Sequence, residues 1–200
     1  MPNDGIPTDE ELIEFIDGAG HRAGPVGNPV TCDVPPIPRK AVSVLLFDGE
    51  GRMLLQRRAA SKYYSPGVWS SSCDGQPRPG EAPEKAAMSR LAEELDVIPR
   101  DLTRAGASVY WQTDPVLGLG KCVINHVFVG RLLTPPCPDP AEVAEVAMVT
   151  PAELRRMLAG ERFSSWFLAV TEVALIRIPA WLAGLADWRE DVILGAADGR

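Results

Sequence analysis

Arg90, Glu93 and Glu94 fall within one predicted helix beside a loop rich in glycine and proline. They sit in the stretch 61–97, SKYYSPGVWSSSCDGQPRPGEAPEKAAMSRLAEELDV, which reads as a strand end, tight turns and then a helix. Pro83 suits the first helical turn, because its missing N–H would be unpaired there anyway. Glu81 and Glu84 place negative charge at the positive end of the helix dipole. Met88, Leu91 and Leu95 recur at helical spacing and predict one apolar stripe. Arg90 and Glu94 are four residues apart and share a face roughly opposite that stripe, with Glu93 beside them. The helix is thus expected to present one cation and two carboxylates away from the core. Such a face serves an ionic ligand or is simply solvated. Arg before Glu is the weaker order for an i,i+4 pair, which slightly favours a role beyond helix support.

These residues need a frame. Residues 11–17, ELIEFID, predict a strand leading into a glycine turn, with a short helix as the alternative. Residues 25–39 are rich in proline and predict a surface loop. Residues 40–47 and 52–57 predict strands joined by a hairpin turn at Asp48-Gly-Glu-Gly51. Strands follow at 106–112, 121–133 and 145–149. Thr150-Pro-Ala-Glu is a capping box with proline at the first helical position, predicting a helix to about residue 159. A second helix is expected over 163–176, with Trp181 and Trp188 packing a tail onto the body. Strands interleaved with helices predict an α/β sandwich, a sheet between helices.

Two hundred residues suffice for one domain with a real core, and residues 1–200 are read as one. The net charge of −7 argues against a nucleic-acid or anionic-membrane partner, so an anionic ligand needs a local cationic cluster. The first residues lack the basic and apolar regions of a signal peptide, and no apolar run approaches the roughly 20 residues that cross a bilayer. Cys32, Cys73, Cys122 and Cys137 lack CxxC spacing, consistent with reduced thiols in the cytoplasm.

The central stretch resembles the Nudix box: Gly75, Glu81, Ser89-Arg90 in place of Arg-Glu, Leu91, Glu93-Glu94, Asp96 in place of Gly, and Val97. Nudix hydrolases hold magnesium with three helix glutamates, and the first of these positions is Arg90 here. The isopentenyl-diphosphate isomerase branch is closer. LLQRRAASKYYSPGVW, the Arg at position 90, Tyr110 with Thr113-Asp114-Pro115, and Phe163-Ser-Ser-Trp166 resemble its blocks in order, over residues 11–176. The resemblance implies a Nudix-type α/β/α sandwich with a mixed sheet. It also implies that Arg58, Lys62 and Arg90 bind a small-molecule prenyl diphosphate. Glu94, with Glu93 beside it, would hold Mg²⁺ against the diphosphate. Arginine forks suit diphosphate oxygens, and Mg²⁺ suits few carboxylates plus phosphate.

On the isomerising side the chain departs from the family. Asp74 stands at the position of the family's proton-handling cysteine, and Cys73 lies one residue early. The family's second metal takes three His and two Glu; those positions are Cys32, Arg39, Gln76, Lys121 and Val123 here. Three histidine ligands cannot come from two histidines, His21 and His126, which implies that the second metal is absent. Tyr110 and Trp166 survive, the one beside the reacting alkene and the other facing a carbocation. Asp74 is either a proton donor, base or extra ligand, or an Asp-Gly turn residue. Cys73 reads as a buried inert thiol, His126 as a packed or hydrogen-bonded strand residue, and Ser70, Ser71 and Ser72 lack a base to make them nucleophiles. The expected function is proton or carbocation chemistry, isomerisation or cyclisation, on a prenyl diphosphate. Catalysis would fall to Asp74, Tyr110 and Trp166. The alternatives are a Nudix diphosphohydrolase using Glu81, Glu93 and Glu94, or a non-catalytic protein that binds isoprenoid diphosphates. The sequence leaves the oligomeric state open.

Overall fold

After Arg39 and Lys40, the run RKAVSVLLF is apolar except at Ser43, the pattern of a strand buried on both faces. It forms β3 (Arg39–Phe47), the strand around which the sheet is built. The computed structural model of the protein describes residues 13–16, 22–26, 39–113, 120–176 and 188. Before β3 come β1 (Ile13–Ile16) and β2 (Arg22–Val26). After it come β4 (Met53–Arg58), β5 (Trp69–Ser70), β6 (Cys73–Gly75), α1 (Pro83–Leu95), β7 (Arg100–Thr113) and β8 (Gly120–Arg131). The described chain closes with β9 (Val143–Val149), α2 (Pro151–Gly160) and α3 (Phe167–Ile176).

The sheet is mixed. β3 runs parallel to β8 along its whole length and antiparallel to β6 and β4, while β7 pairs with β8 and β9 with β4. Alternation along β3 sends Val42, Val44 and Leu46 toward Ala86, Ala87, Leu91 and Leu95 of α1. Leu45 and Phe47 point the other way, into a core with Leu154 of α2 and Phe167, Val170 and Ala174 of α3. Helices on both faces of a mixed sheet make the three-layer α/β/α sandwich that the sequence predicts. Trp188 closes the second core, its ring edge-on to Phe47 and its Nε1 donating to the Gly51 carbonyl at 2.9 Å. Trp181 lies outside the described residues. None of the described helices is long and apolar enough to cross a membrane.

Four expectations need correction. The predicted loop 25–39 begins inside a strand, β2, which pairs with β1. The strand expected over 106–112 extends back to Arg100. The helix expected from 163 starts at Phe167, because Phe163 is bridged to Trp69 and the Ser164 N–H donates to the Trp69 carbonyl. Finally, Glu94 does not share an outward face with Arg90. It is buried with Leu91 and Leu95, and Arg90 pairs instead with Glu93, three residues on. α1 begins at Pro83 as predicted and ends at Asp96 in a left-handed conformation, φ 53°. That conformation suits glycine, which pays no Cβ penalty there. Asp96→Gly should therefore stabilise the fold by about 0.5–1 kcal/mol, seen as a higher urea midpoint at unchanged slope; a lower midpoint would show that the Asp96 side chain contributes more than its backbone costs.

Candidate active site

β6 is three residues long, and its register divides the site. Val42 pairs with Gly75, Ser43 with Asp74 and Val44 with Cys73. Paired residues share a face. Cys73 and Gly75 therefore face α1, and Asp74 faces the opposite layer. A one-residue shift between Cys73 and Asp74 is a change of face, so the thiol does not take the place of the carboxylate.

Asp74 is an acceptor for three hydroxyls. Ser43 donates to its Oδ1, Ser71 donates to Oδ1 at 2.6 Å, and Ser70 donates to Oδ2 at 2.5 Å. Ser70 also contacts Ser164 Oγ at 2.8 Å. The serines are thus ligands of a carboxylate. On the same face, Asn125 Nδ2 donates to Ser43 Oγ at 2.8 Å and to Tyr110 Oη at 3.4 Å. Burial, and then the Asp74 charge, push the Tyr110 phenol well above its ordinary range, so it stays protonated. Tyr110 stacks on Trp166, with ring centroids 6.5 Å apart and planes 15° from parallel. The Arg58 guanidinium lies over Trp166, 5.6 Å from the ring centroid, and its Nε donates to the Tyr64 carbonyl. A break in strand register between Arg57 and Arg58 helps to aim it there. Asp74, Tyr110, Trp166 and Arg58 are therefore linked contact by contact.

On the other face, Glu94 is only 6% exposed. Gln56 Nε2 donates to its Oε2 at 3.3 Å. Desolvation pushes the Glu94 carboxyl from its ordinary 4.5 up to about 7, opposed by the Lys62 charge and assisted by Glu142 and Asp74. Lys62 is ion-paired with Glu142, so Lys62, Glu142 and Glu94 form one group. Arg90 lays its Cγ and Cδ against Gly75, where an added Cβ would come within 2.7 and 2.9 Å of them. Its Nη1 donates to Glu93 Oε2 at 2.7 Å. Glu93 is half-exposed and also accepts from Arg78 Nη2 at 3.1 Å. Consecutive helix residues diverge by about 100°, so Glu93 and Glu94 leave α1 in different directions. Glu81 accepts from the Arg78 N–H and from Ser89.

Cys73 is buried, and desolvation, followed by Glu94 and Asp74, raises its thiol well above the usual range; it is an inert neighbour of Glu94. His126 contacts Arg104 Nη2 through Nδ1 at 2.8 Å, and burial followed by the Arg104 charge lowers its pKa. Sequence reasoning missed Ser43, Gln56, Asn125 and Glu142. Asn125 had a trace, a polar residue at an inward strand position between Val123 and Val127.

Among the described residues no three His, Cys, Asp or Glu side chains are gathered to hold a metal. The residues at Glu94 do fit a hard divalent cation shared with a ligand. The buried Glu94 carboxylate is compensated only in part, by Lys62 and Gln56, and beside it Gln56 Oε1 is buried without a hydrogen-bond partner among the described residues. The family's second metal does not fit. Arg39 is a guanidinium only 2% exposed, and Val123 is a buried aliphatic. Cys32 and the side chain of Lys121 lie outside what is described.

The NUDIX domain family matches residues 37–168. A Streptomyces griseus isopentenyl-diphosphate Delta-isomerase is 45% identical over 177 residues, covering 88% of this chain and 90% of that protein. One from Nocardia farcinica is 43% identical over 164 residues, covering 81% and 93%. Among solved structures, a Deinococcus radiodurans protein superposes with a TM-score of 0.65 at 20% identity, over 84% of this chain and all of that one. A MutT Nudix hydrolase from Burkholderia pseudomallei gives 0.54 at 18%, over 71% and 98%. These two carry the fold alone.

A carboxyl raised on folding adds stability at low pH and forfeits it as pH climbs through the folded pKa. For Glu94 the loss falls between pH 4.5 and about 7. In EDTA, Glu94→Gln should thus gain on the unsubstituted protein by about 2–3 kcal/mol between pH 4.5 and 8. Urea denaturation at both pH values checks this; parallel pH dependences would place the Glu94 carboxyl in solvent.

Proposed function

Because the chain belongs to the Nudix superfamily, on its isopentenyl-diphosphate isomerase branch, we propose that it is an enzyme that shifts protons on the carbon skeleton of a prenyl diphosphate. The observation that carries this is the arrangement around β6. An acceptor carboxylate, Asp74, shares one face with a phenol and an indole, while a buried carboxylate and two cations border the other.

Arg58, Lys62 and Arg90 are assigned to the diphosphate. Their present partners are a ring face, Glu142 and Glu93. Diphosphate oxygens would take over these contacts with stronger, bidentate ones. Glu94, with Gln56 Oε1 near it, would hold Mg²⁺ on the diphosphate. When bound, that ion supplies charge neutralisation.

The hydrocarbon is assigned to the Asp74, Tyr110 and Trp166 side. A double-bond shift places one proton, drawn from solvent, on an alkene carbon, using the π pair, and removes another from a carbon two bonds away, onto Asp74 and from there to solvent. The C–H pair left behind becomes the new π bond. Asp74 takes the role of base, as the carboxylate on the face that carries the ring pair. The Trp166 face shields developing positive charge, worth on the order of 2 kcal/mol in a dry pocket. Arg58 lies over that ring, so its charge must be engaged by diphosphate before a carbocation is tolerated beside it. Engagement of the phosphate thus precedes ionisation of the carbon skeleton. The separation of Glu81, Glu93 and Glu94 into different contacts speaks against a hydrolase assembled from the three.

Incubation with Mg²⁺ and a panel of prenyl diphosphates should give rearranged or cyclised skeletons, followed by proton NMR alongside phosphate release. Phosphate with unrearranged alcohol would make the chain a diphosphohydrolase, and a raised melting temperature with unchanged ligand would make it a binding protein. Arg90→Glu should weaken prenyl diphosphate binding about tenfold or more in a thermal-shift titration. Unchanged affinity would remove Arg90 from the cradle.

A further inference from the structure

Asn125 belongs to neither set of residues assigned so far, yet it touches both ends of the proton-handling face. It is 1% exposed, on β8, opposite Ser108 of β7. Its amide nitrogen is shared between Ser43 Oγ at 2.8 Å and Tyr110 Oη at 3.4 Å. An amide nitrogen only donates. Each hydroxyl that accepts from it must turn its own proton elsewhere. Ser43 turns its proton onto Asp74 Oδ1. Tyr110, with its oxygen engaged from the Asn125 side, must direct its proton away from Asn125, and burial keeps that proton in place.

The polarity of this one amide therefore fixes the protons of two hydroxyls. Rotating it by half a turn would take both N–H donors away from Ser43 Oγ and Tyr110 Oη. It would also draw the Ser43 and Tyr110 protons toward the amide oxygen, depriving Asp74 of a donor. In the observed orientation this amide leaves its Oδ1 without a hydrogen-bond partner among the described residues, a smaller cost than two orphaned donors.

We propose that Asn125 is a positioning residue for proton transfer, its amide turning the Ser43 proton onto Asp74 and the Tyr110 proton toward the bound hydrocarbon. This rests on the assignment of that face to a prenyl diphosphate. The phenol O–H then polarises the alkene, while Asp74 stays an acceptor.

Two substitutions separate positioning from packing. Asn125→Asp keeps the shape but only accepts, and Asn125→Leu keeps the bulk without polarity. Both should lower kcat about tenfold or more with KM for the prenyl diphosphate unchanged. Tyr110→Phe should then cost little further in either background, because its proton is already misdirected. A packing role would leave Asn125→Asp with the activity of the unsubstituted protein and make the Tyr110→Phe loss additive, which overturns the proposal. A readout without turnover guards against failure of the functional assignment itself. The ¹³Cζ resonance of Tyr110 in the ligand-free protein, identified by its loss in Tyr110→Phe, reports hydrogen bonding to the phenol oxygen. It should shift in Asn125→Asp, and an unmoved resonance overturns the proposal even if no substrate is found. Should Asn125→Leu fail to fold, Asn125→Asp and this resonance carry the test.

Discussion

The pairing of β6 with β3 decides what the centre of this protein can do. Three residues of strand, locked in register against Val42, Ser43 and Val44, send one carboxylate toward the Tyr110 layer. The same pairing sends a thiol and a glycine toward α1. The absence of a side chain at Gly75 lets the stem of Arg90 lie against the strand. A slip of one residue would exchange these faces, putting Cys73 among the serines and Asp74 against the apolar side of α1. Ser43, Ser70 and Ser71 oppose that slip, since each hydroxyl donates to Asp74. The site is therefore specified by backbone register first and by side-chain identity second.

The second constraint is the burial of Glu94. A carboxylate placed among Leu91, Leu95 and Cys73 is costly unless charge or hydrogen bonds compensate it. Gln56 and Lys62 do so in part, and the carboxyl remains well above its ordinary pKa. A cation arriving with a diphosphate would complete the compensation. Ligand binding would then repay a cost built into the free protein, a common economy at functional sites. Among the described residues, the departures from the isomerase pattern at Asp74, Arg39 and Val123 fall on the other face. The buried guanidinium of Arg39 and the aliphatic Val123 occupy positions where metal ligands would be needed, while the cradle residues remain.

Much of the fold was legible because its elements carry local signatures. Pro83, the apolar spacing of α1 and the capping box at Thr150 set their helices to within a residue. β5 and β6 were not legible, because strands as short as Trp69-Ser70 and Cys73-Asp74-Gly75 have no periodicity to read. The inward turn of Glu94 was missed because the apolar stripe was counted from hydrophobic residues alone. Glu142 and Asn125 join the site through tertiary contacts that no spacing within one element encodes. The prenyl diphosphate assignment came from motif resemblance, whereas the segregation of Asp74 from Cys73 became visible only with the strand register.

The most direct test is a crystal structure with a non-hydrolysable prenyl diphosphate analogue and Mg²⁺. Phosphorus should lie between Arg58, Lys62 and Arg90, with the metal on Glu94 and the first alkene carbons between Asp74, Tyr110 and Trp166. Phosphate on the outer side of α1, at Arg78, or a hydrocarbon directed away from Asp74, would contradict the division of the site by β6.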